Sequence, residues 1–262
     1  MTKTFHICTI VNNWGQYQEM RASFRQMGFD ELHCRFSHFD NRSSNSHEGY
    51  GTLNYVMEST PEPYIIYCHQ DILLDQGHGY DELLNIIREL DTHDSAWAVL
   101  GNAGVTEDHR LLRRLHDPFG NDCRGDAEPV KVCSLDENFL VIKTASNARC
   151  SDELKGFHLY ATDLCLNATQ AGRSCYVTSF YLTHLSKGQI DQSFLIARES
   201  LQKQWGQQFR FRYIKTLCTT IFLSRNRTIQ FFFSSYRVTH WLFSSPFRHK
   251  LICRFSDQSY AT

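Results

Sequence analysis

Alternation between strand-like and helix-like patterning constrains this chain more than any other feature. The run FHICTIV (Phe5 to Val11) reads as a buried strand, and polar Asn12 and Asn13 end it. Tyr17, Met20, Phe24 and Met27 then recur at helical spacing, with Gly28 as a stop signal. ELHCRF (Glu31 to Phe36) alternates as a second strand, and a polar loop leads to a short helix carrying Leu53, Val56 and Met57. After Pro61 and Pro63 come a strand at Tyr64 to Cys68, a helix over Asp81 to Leu90, and the strand AWAVLG. Such alternation predicts an α/β domain with a mixed, mostly parallel sheet flanked by helices.

Further along the pattern is less regular. Residues 105–128 are polar and rich in Arg, Asp and Gly, and read as a long loop. VKVCSLDENFLVIKTA places two short strands around Leu135 to Asn138, and a helix follows from about Asp163 to Ala171. SCYVTSFYLTHLSKG reads as strand ending at His184, and Asp191 is placed to cap a helix bearing Phe194, Leu201 and Trp205. The expected boundaries are a body over 1–206 and an extension over 207–262.

Ten cysteines suggest a disulfide framework until their setting is read. Cys8, Cys34, Cys68, Cys133, Cys165 and Cys175 lie in or beside apolar runs, and no CxxC pair occurs. This usage suits small buried hydrophobes in a reducing, cytoplasmic setting. The first apolar run is too short for a secretory leader, and no stretch approaches eighteen uninterrupted apolar residues. With 42% hydrophobic and 21% charged residues, wholesale disorder is not expected.

Chemistry is concentrated where strands end. In YIIYCHQDILL, His69, Gln70 and Asp71 stand between two apolar runs. Burying an unpaired carboxylate costs several kcal/mol by common measures, so Asp71 needs a partner, a metal or solvent. Asn12 and Asn13 end the first strand, and Asp40 and Asn41 follow the second. In open α/β sheets, ligands collect at the carboxyl ends of strands. A lone Asp there also serves as a turn or helix cap, but several together favour a ligand site. GYGTLN has no third glycine, and GxxxxGK[ST], GxSxG and HExxH are absent. A phosphorylated ligand would therefore need its charge met by a divalent metal held by carboxylate and imidazole.

The succession CTIVNNW, HFDNRSSNS, YIIYCHQDILL, FHLYATDLCLNATQAG and YLTHLSKG resembles bacterial glycosyltransferases of the GT-A fold, the family-2-like group of capsule and surface-polysaccharide synthesis. The likeness covers roughly residues 5–206, and HQD stands where most relatives carry DxD. It implies a nucleoside-diphosphate sugar donor, in the first instance a UDP-sugar, and a saccharide or lipid-linked acceptor. Asp71 and His184 would hold Mn2+ or Mg2+, with His69 a ligand directly or through water. Asp163 matches the late carboxylate that serves as base in inverting enzymes, although an acid in the first turn of a helix is also a favourable cap. Asp136 and Glu137 stand in reserve as base or as binders of acceptor hydroxyls. Asp40, Asn41, Asn12 and Asn13 fit the base and ribose rim, and Asn54 and Gln70 reach toward the donor. Arg110, Arg113 and Arg114 lie in the polar loop, as a phosphate clamp or as a solvated charged run.

The extension has its own character. Residues 201–256 hold ten Lys or Arg and no Asp or Glu, interspersed with Phe, Tyr and Trp. That composition fits peripheral attachment to the inner face of a membrane, or equally a helical subdomain packed on an acidic body. No nucleic-acid module is visible. The alternative to an enzyme is a non-catalytic sugar-nucleotide-binding or assembly protein on the same fold.

Overall fold

The computed structural model describes residues 3–118, 120–122, 129–188 and 190–256. β1 (Phe5–Val11) leads to α1 (Trp14–Gln26), β2 (Cys34–Asp40), α2 (Gly49–Ser59) and β3 (Tyr64–Cys68). β4 (Ile72–Leu73), α3 (Tyr80–His93) and β5 (Trp97–Gly101) follow. Next come β6 (Ala103–Val105), β7 (Leu111–Arg113), β8 (Leu115–Asp117), β9 (Gly120–Asp122), β10 (Val130–Val132), β11 (Ser134–Leu135) and β12 (Phe139–Lys143). The remainder is α4 (Tyr160–Gln170), β13 (Ser174–Val177), β14 (Leu182–His184), α5 (Gln192–Gly206), β15 (Arg212–Lys215), β16 (Thr220–Leu223), α6 (Arg227–Phe233), α7 (Tyr236–Phe243) and α8 (Pro246–Phe255).

The central sheet has seven strands in the order β10-β13-β5-β12-β3-β1-β2. β1 pairs in parallel with β2 and β3, and β13 with β5, while β12 and β10 run against their neighbours. Side chains alternate between two apolar layers, as strand geometry requires. Ile66 and Cys68 of β3 and Phe139 and Val141 of β12 join α1 and α3 on one face. Ile65 and Tyr67, with Leu140 and Ile142, join α2, α4 and α5 on the other. Because both faces are covered, the strands carry near-continuous apolar runs instead of clean alternation. The six cysteines expected in the core are buried free thiols.

Three expectations shift. The second strand begins at Cys34 because the Asp30 carboxylate accepts the Leu32 and His33 amides and turns the chain there. The expected loop 105–128 holds β7, β8 and β9, each too short for a period to show in sequence; residues 119 and 123–128 of that segment lie outside the described residues. SCYVTSFYLTHLSKG divides, with β13 in the central sheet and β14 in a four-stranded sheet beside β4 and β8.

Beyond Gly206, β15 and β16 form a hairpin whose Ile214, Ile221 and Leu223 enter the same core as α5. Tyr213 and Phe222 on its other face pack against Leu242 of α7 and Ile252 of α8. Phe231, Phe232, Trp241, Phe247 and Phe255 remain exposed. No helix among the described residues is long and apolar enough to cross a membrane.

Candidate functional site

The carboxyl ends of β1, β2 and β3 open on one edge of the sheet. β12 runs antiparallel to β3 with Phe139 opposite Cys68, so the residues just before β12 reach that same edge. The His69 amide donates to the Asn138 carbonyl at 3.0 Å, setting Asp136 and Glu137 near His69. β14 pairs with β4, placing His184 opposite Ile72, and the Leu185 amide donates to the Asp71 carbonyl at 2.9 Å. Residues more than a hundred apart in sequence are thereby brought together by backbone pairing alone.

At this edge lies a cavity of about 850 Å3, lined by Asp71, His69, His184, Asp136 and Glu137 among others. That volume suits a small-molecule ligand site. His184 Nε2 stands 3.5 Å from Asp71 Oδ1, and His69 Nδ1 stands 3.9 Å from the same oxygen. The three potential ligand atoms lie within 4.8 Å of one another, close enough to share one cation. Two imidazoles and a carboxylate on one side of an open cavity suit a divalent metal that keeps positions free for substrate oxygens. Burial opposes ionisation of Asp71, yet the hydrogen bond and charge of His184, then His69, hold its carboxyl well below the ordinary range. Burial lowers His184, but Asp71 outweighs it and the net shift is upward. His69 goes the other way, depressed by burial and by its neighbour His184.

On the wall, the Tyr67 hydroxyl and Glu137 Oε1 are buried with no hydrogen-bond partner among the described residues. Burial, and then the Asp136 charge, push Glu137 up to about 8. The floor beside them is tightly fitted. Glu48 caps α2 by accepting the Tyr50 and Gly51 amides, and it also accepts the Gly156 amide at 2.8 Å. A Cβ on Gly49 would lie 2.8 Å from Tyr160 Cε1, so only glycine allows this approach.

The remaining residues singled out in the sequence divide clearly. Gln70 and Asn12 are on the cavity wall, where Gln70 Oε1 accepts the Asn12 and Asn13 amides at 2.9 Å each. Asn41 is also on the wall; its amide exchanges two hydrogen bonds with the His47 backbone and holds the following loop. Asn13 caps α1 through Gln16, and Asp40 forms a bidentate pair with Arg42, which lies over the Trp14 ring at 4.9 Å. Asn54 points away and clamps both backbone groups of Cys150.

Asp163 is not brought to the cavity. It is fully buried in the first turn of α4, where it accepts from the Ser151 amide and hydroxyl, Asn167 Nδ2 and Trp205 Nε1. The bonds from Ser151 and Trp205 tie α4 to the segment before it and to α5, and the Asn167 bond stays within α4. Arg113 lines the cavity and pairs with Asp117, which is also on the wall. Arg114 is buried, and Arg110 is not among the lining residues. Lys187, three residues after His184, lines the cavity and was passed over in sequence; its place inside the YLTHLSKG motif was the available signal.

No family model matches the chain. A protein of Fuscovulum blasticum, "ATP synthase subunits region ORF 6", is 32% identical over 220 residues, covering 81% of this chain and 88% of that one. The chain belongs to that protein's family. Among solved structures, S. aureus TarS 1–349 in complex with UDP-GlcNAc superposes with a TM-score of 0.52 at 12% identity. GalNAc-T7 with UDP, GalNAc and Mn2+ gives 0.51 at 8%. These alignments cover 76% and 77% of this chain but only 65% and 47% of theirs. At such identities the likeness is one of fold, and the fold is GT-A.

Proposed function

We propose that the protein is a metal-dependent, inverting glycosyltransferase that moves a sugar from a nucleoside-diphosphate sugar, a UDP-sugar first, to a saccharide or lipid-linked acceptor in surface-polysaccharide synthesis. One observation carries the reading: Asp71, His184 and His69 converge at the cavity on the carboxyl edge of a GT-A sheet. Bound there, Mn2+ or Mg2+ would neutralise charge on the diphosphate leaving group. Lys187 adds a cationic group for phosphate oxygens, and the Asn12, Gln70 and Asn41 rim holds the nucleotide's base and ribose.

For the base, the cavity geometry favours Asp136 over Asp163. Asp136 faces the cavity, whereas every acceptor position of Asp163 is used in packing. As an acceptor hydroxyl oxygen bonds to the anomeric carbon, its proton passes to Asp136 and the nucleoside diphosphate departs. Glu137, protonated at neutral pH, donates to a sugar or acceptor oxygen. The exposed aromatics of the extension, with its excess of Arg and Lys, fit contact with an anionic membrane carrying a lipid-linked acceptor.

Release of UDP from UDP-sugars, measured with Mn2+ across saccharide acceptors, tests the reading. Asp136→Asn should lower turnover by ~10²–10⁴-fold while leaving UDP–Mn2+ binding intact. Normal turnover in that variant removes Asp136 from the base role. Nucleotide binding with no donor consumed under any acceptor favours the non-catalytic reading.

A further inference from the structure

A second cluster of metal-ligating side chains lies away from the cavity edge, where the last helix meets the body. His109 sits in the turn between β6 and β7, and His249 and Cys253 lie four residues apart on one face of α8. Their ligand atoms fall within 4.8 Å of one another. We propose that His109, His249 and Cys253 form a zinc site that fastens α8 to the β6–β7 turn.

The hydrogen-bonding pattern orients the first ligand. His109 Nε2 is 3.3 Å from the Tyr213 carbonyl, which can only accept, so the ring proton is on Nε2. The lone pair is then on Nδ1, which faces His249 Nε2 at 3.0 Å and Cys253 Sγ at 3.9 Å. An imidazole whose outer N–H is held by a backbone carbonyl is the usual arrangement of a metal-ligating histidine. Tetrahedral zinc with ordinary bond lengths would hold nitrogen pairs about 3.4 Å apart and nitrogen–sulfur pairs about 3.6 Å apart. The two observed separations bracket those values, so the cluster needs only small side-chain movements to close on an ion.

The surroundings are consistent. His109 is 5% exposed and has a φ of 65°, a left-handed conformation uncommon outside glycine. Its ring is fixed by burial and by the Tyr213 carbonyl, which leaves Nδ1 turned toward α8. On binding, Cys253 releases its proton to solvent and becomes the thiolate ligand. Two nitrogens and a thiolate sulfur suit zinc, and the sulfur distinguishes this cluster from the two imidazoles and one carboxylate at Asp71. Leu111 and Arg113 of β7 line the large cavity, so this ion fixes the extension to an element of the cavity wall.

The test uses the full chain, reduced, stripped of metal with a chelator, and carrying Asp71→Ala to disable the other cluster. Cobalt(II) serves as the spectroscopic probe. One equivalent should give tetrahedral visible bands with a thiolate-to-cobalt charge-transfer band, and zinc should displace both and raise the melting temperature. Cys253→Ser should lose the charge-transfer band and His249→Gln should lose the tetrahedral spectrum, each with an unchanged metal-free melting temperature. Absence of a thiolate band at one equivalent overturns the proposal, as does a band that persists in Cys253→Ser. Should either variant melt lower without metal, the other variant's spectrum decides.

Discussion

Replacing Asp163 by Asn tests whether that carboxylate holds the fold or performs the chemistry. Oδ1 accepts from the Ser151 hydroxyl and Trp205 Nε1, and Oδ2 from the Ser151 amide and Asn167 Nδ2. Whichever way an amide is turned, two of these four donors face an NH2 group and lose their acceptor. Hydrogen bonds to a charged group contribute about 1.5–3 kcal/mol each, so the loss is about 3–6 kcal/mol. Removing a buried charge, which burial already disfavours here by raising its pKa, returns part of that. The net expectation is destabilisation by about 2–4 kcal/mol, read from urea unfolding followed by Trp fluorescence. Trp205 is itself a bond partner, so its emission should also shift in the folded variant. A variant as stable as the parent, with turnover abolished, would refute the packing role and restore Asp163 as the base.

Two pH-dependent outcomes follow from buried titrating groups. Burial, and then Arg35, lower His6 to about 4, so the unfolded chain binds the extra proton between that value and the ordinary imidazole range. Its contribution is complete above about pH 6.5 and is lost as pH falls toward 4. The urea midpoint should therefore drop less between pH 7 and 5 in His6→Gln than in the parent; equal drops would contradict this. Glu137 has the opposite sense: raised to about 8, it stabilises below the ordinary carboxyl range and loses that contribution as pH rises through 8. Glu137→Gln should unfold at higher urea than the parent at pH 9, with the gap closing by pH 5. A gap that does not depend on pH places the ionisation elsewhere.

How much of this was legible in sequence depended on the range of the interactions involved. β1 and β3 could be read as short continuous apolar runs, as a sheet covered on both faces requires, and α1 from its helical spacing. Asp71, His69 and His184 could be grouped as strand-end residues and through the family resemblance, although their contact depends on β14 pairing with β4. Asp163 could not be placed, because its partners Ser151 and Trp205 lie 12 and 42 residues away. The first turn of a helix looks the same in sequence whether it faces a cavity or a neighbouring helix. β7, β8 and β9 escaped notice because three residues cannot display a period. The cluster at His109, His249 and Cys253 spans more than 140 residues and has no local signature except the i, i+4 pair on α8.

The most direct measurement of the central claim is calorimetric titration of UDP and GDP, with and without Mn2+, into the intact protein and into Asp71→Ala. The account predicts that one nucleotide binds only with the metal present, and that Asp71→Ala removes this binding while leaving the protein folded. Binding that is unchanged by Mn2+ or by Asp71→Ala, or no binding of either nucleotide to folded protein, would contradict it.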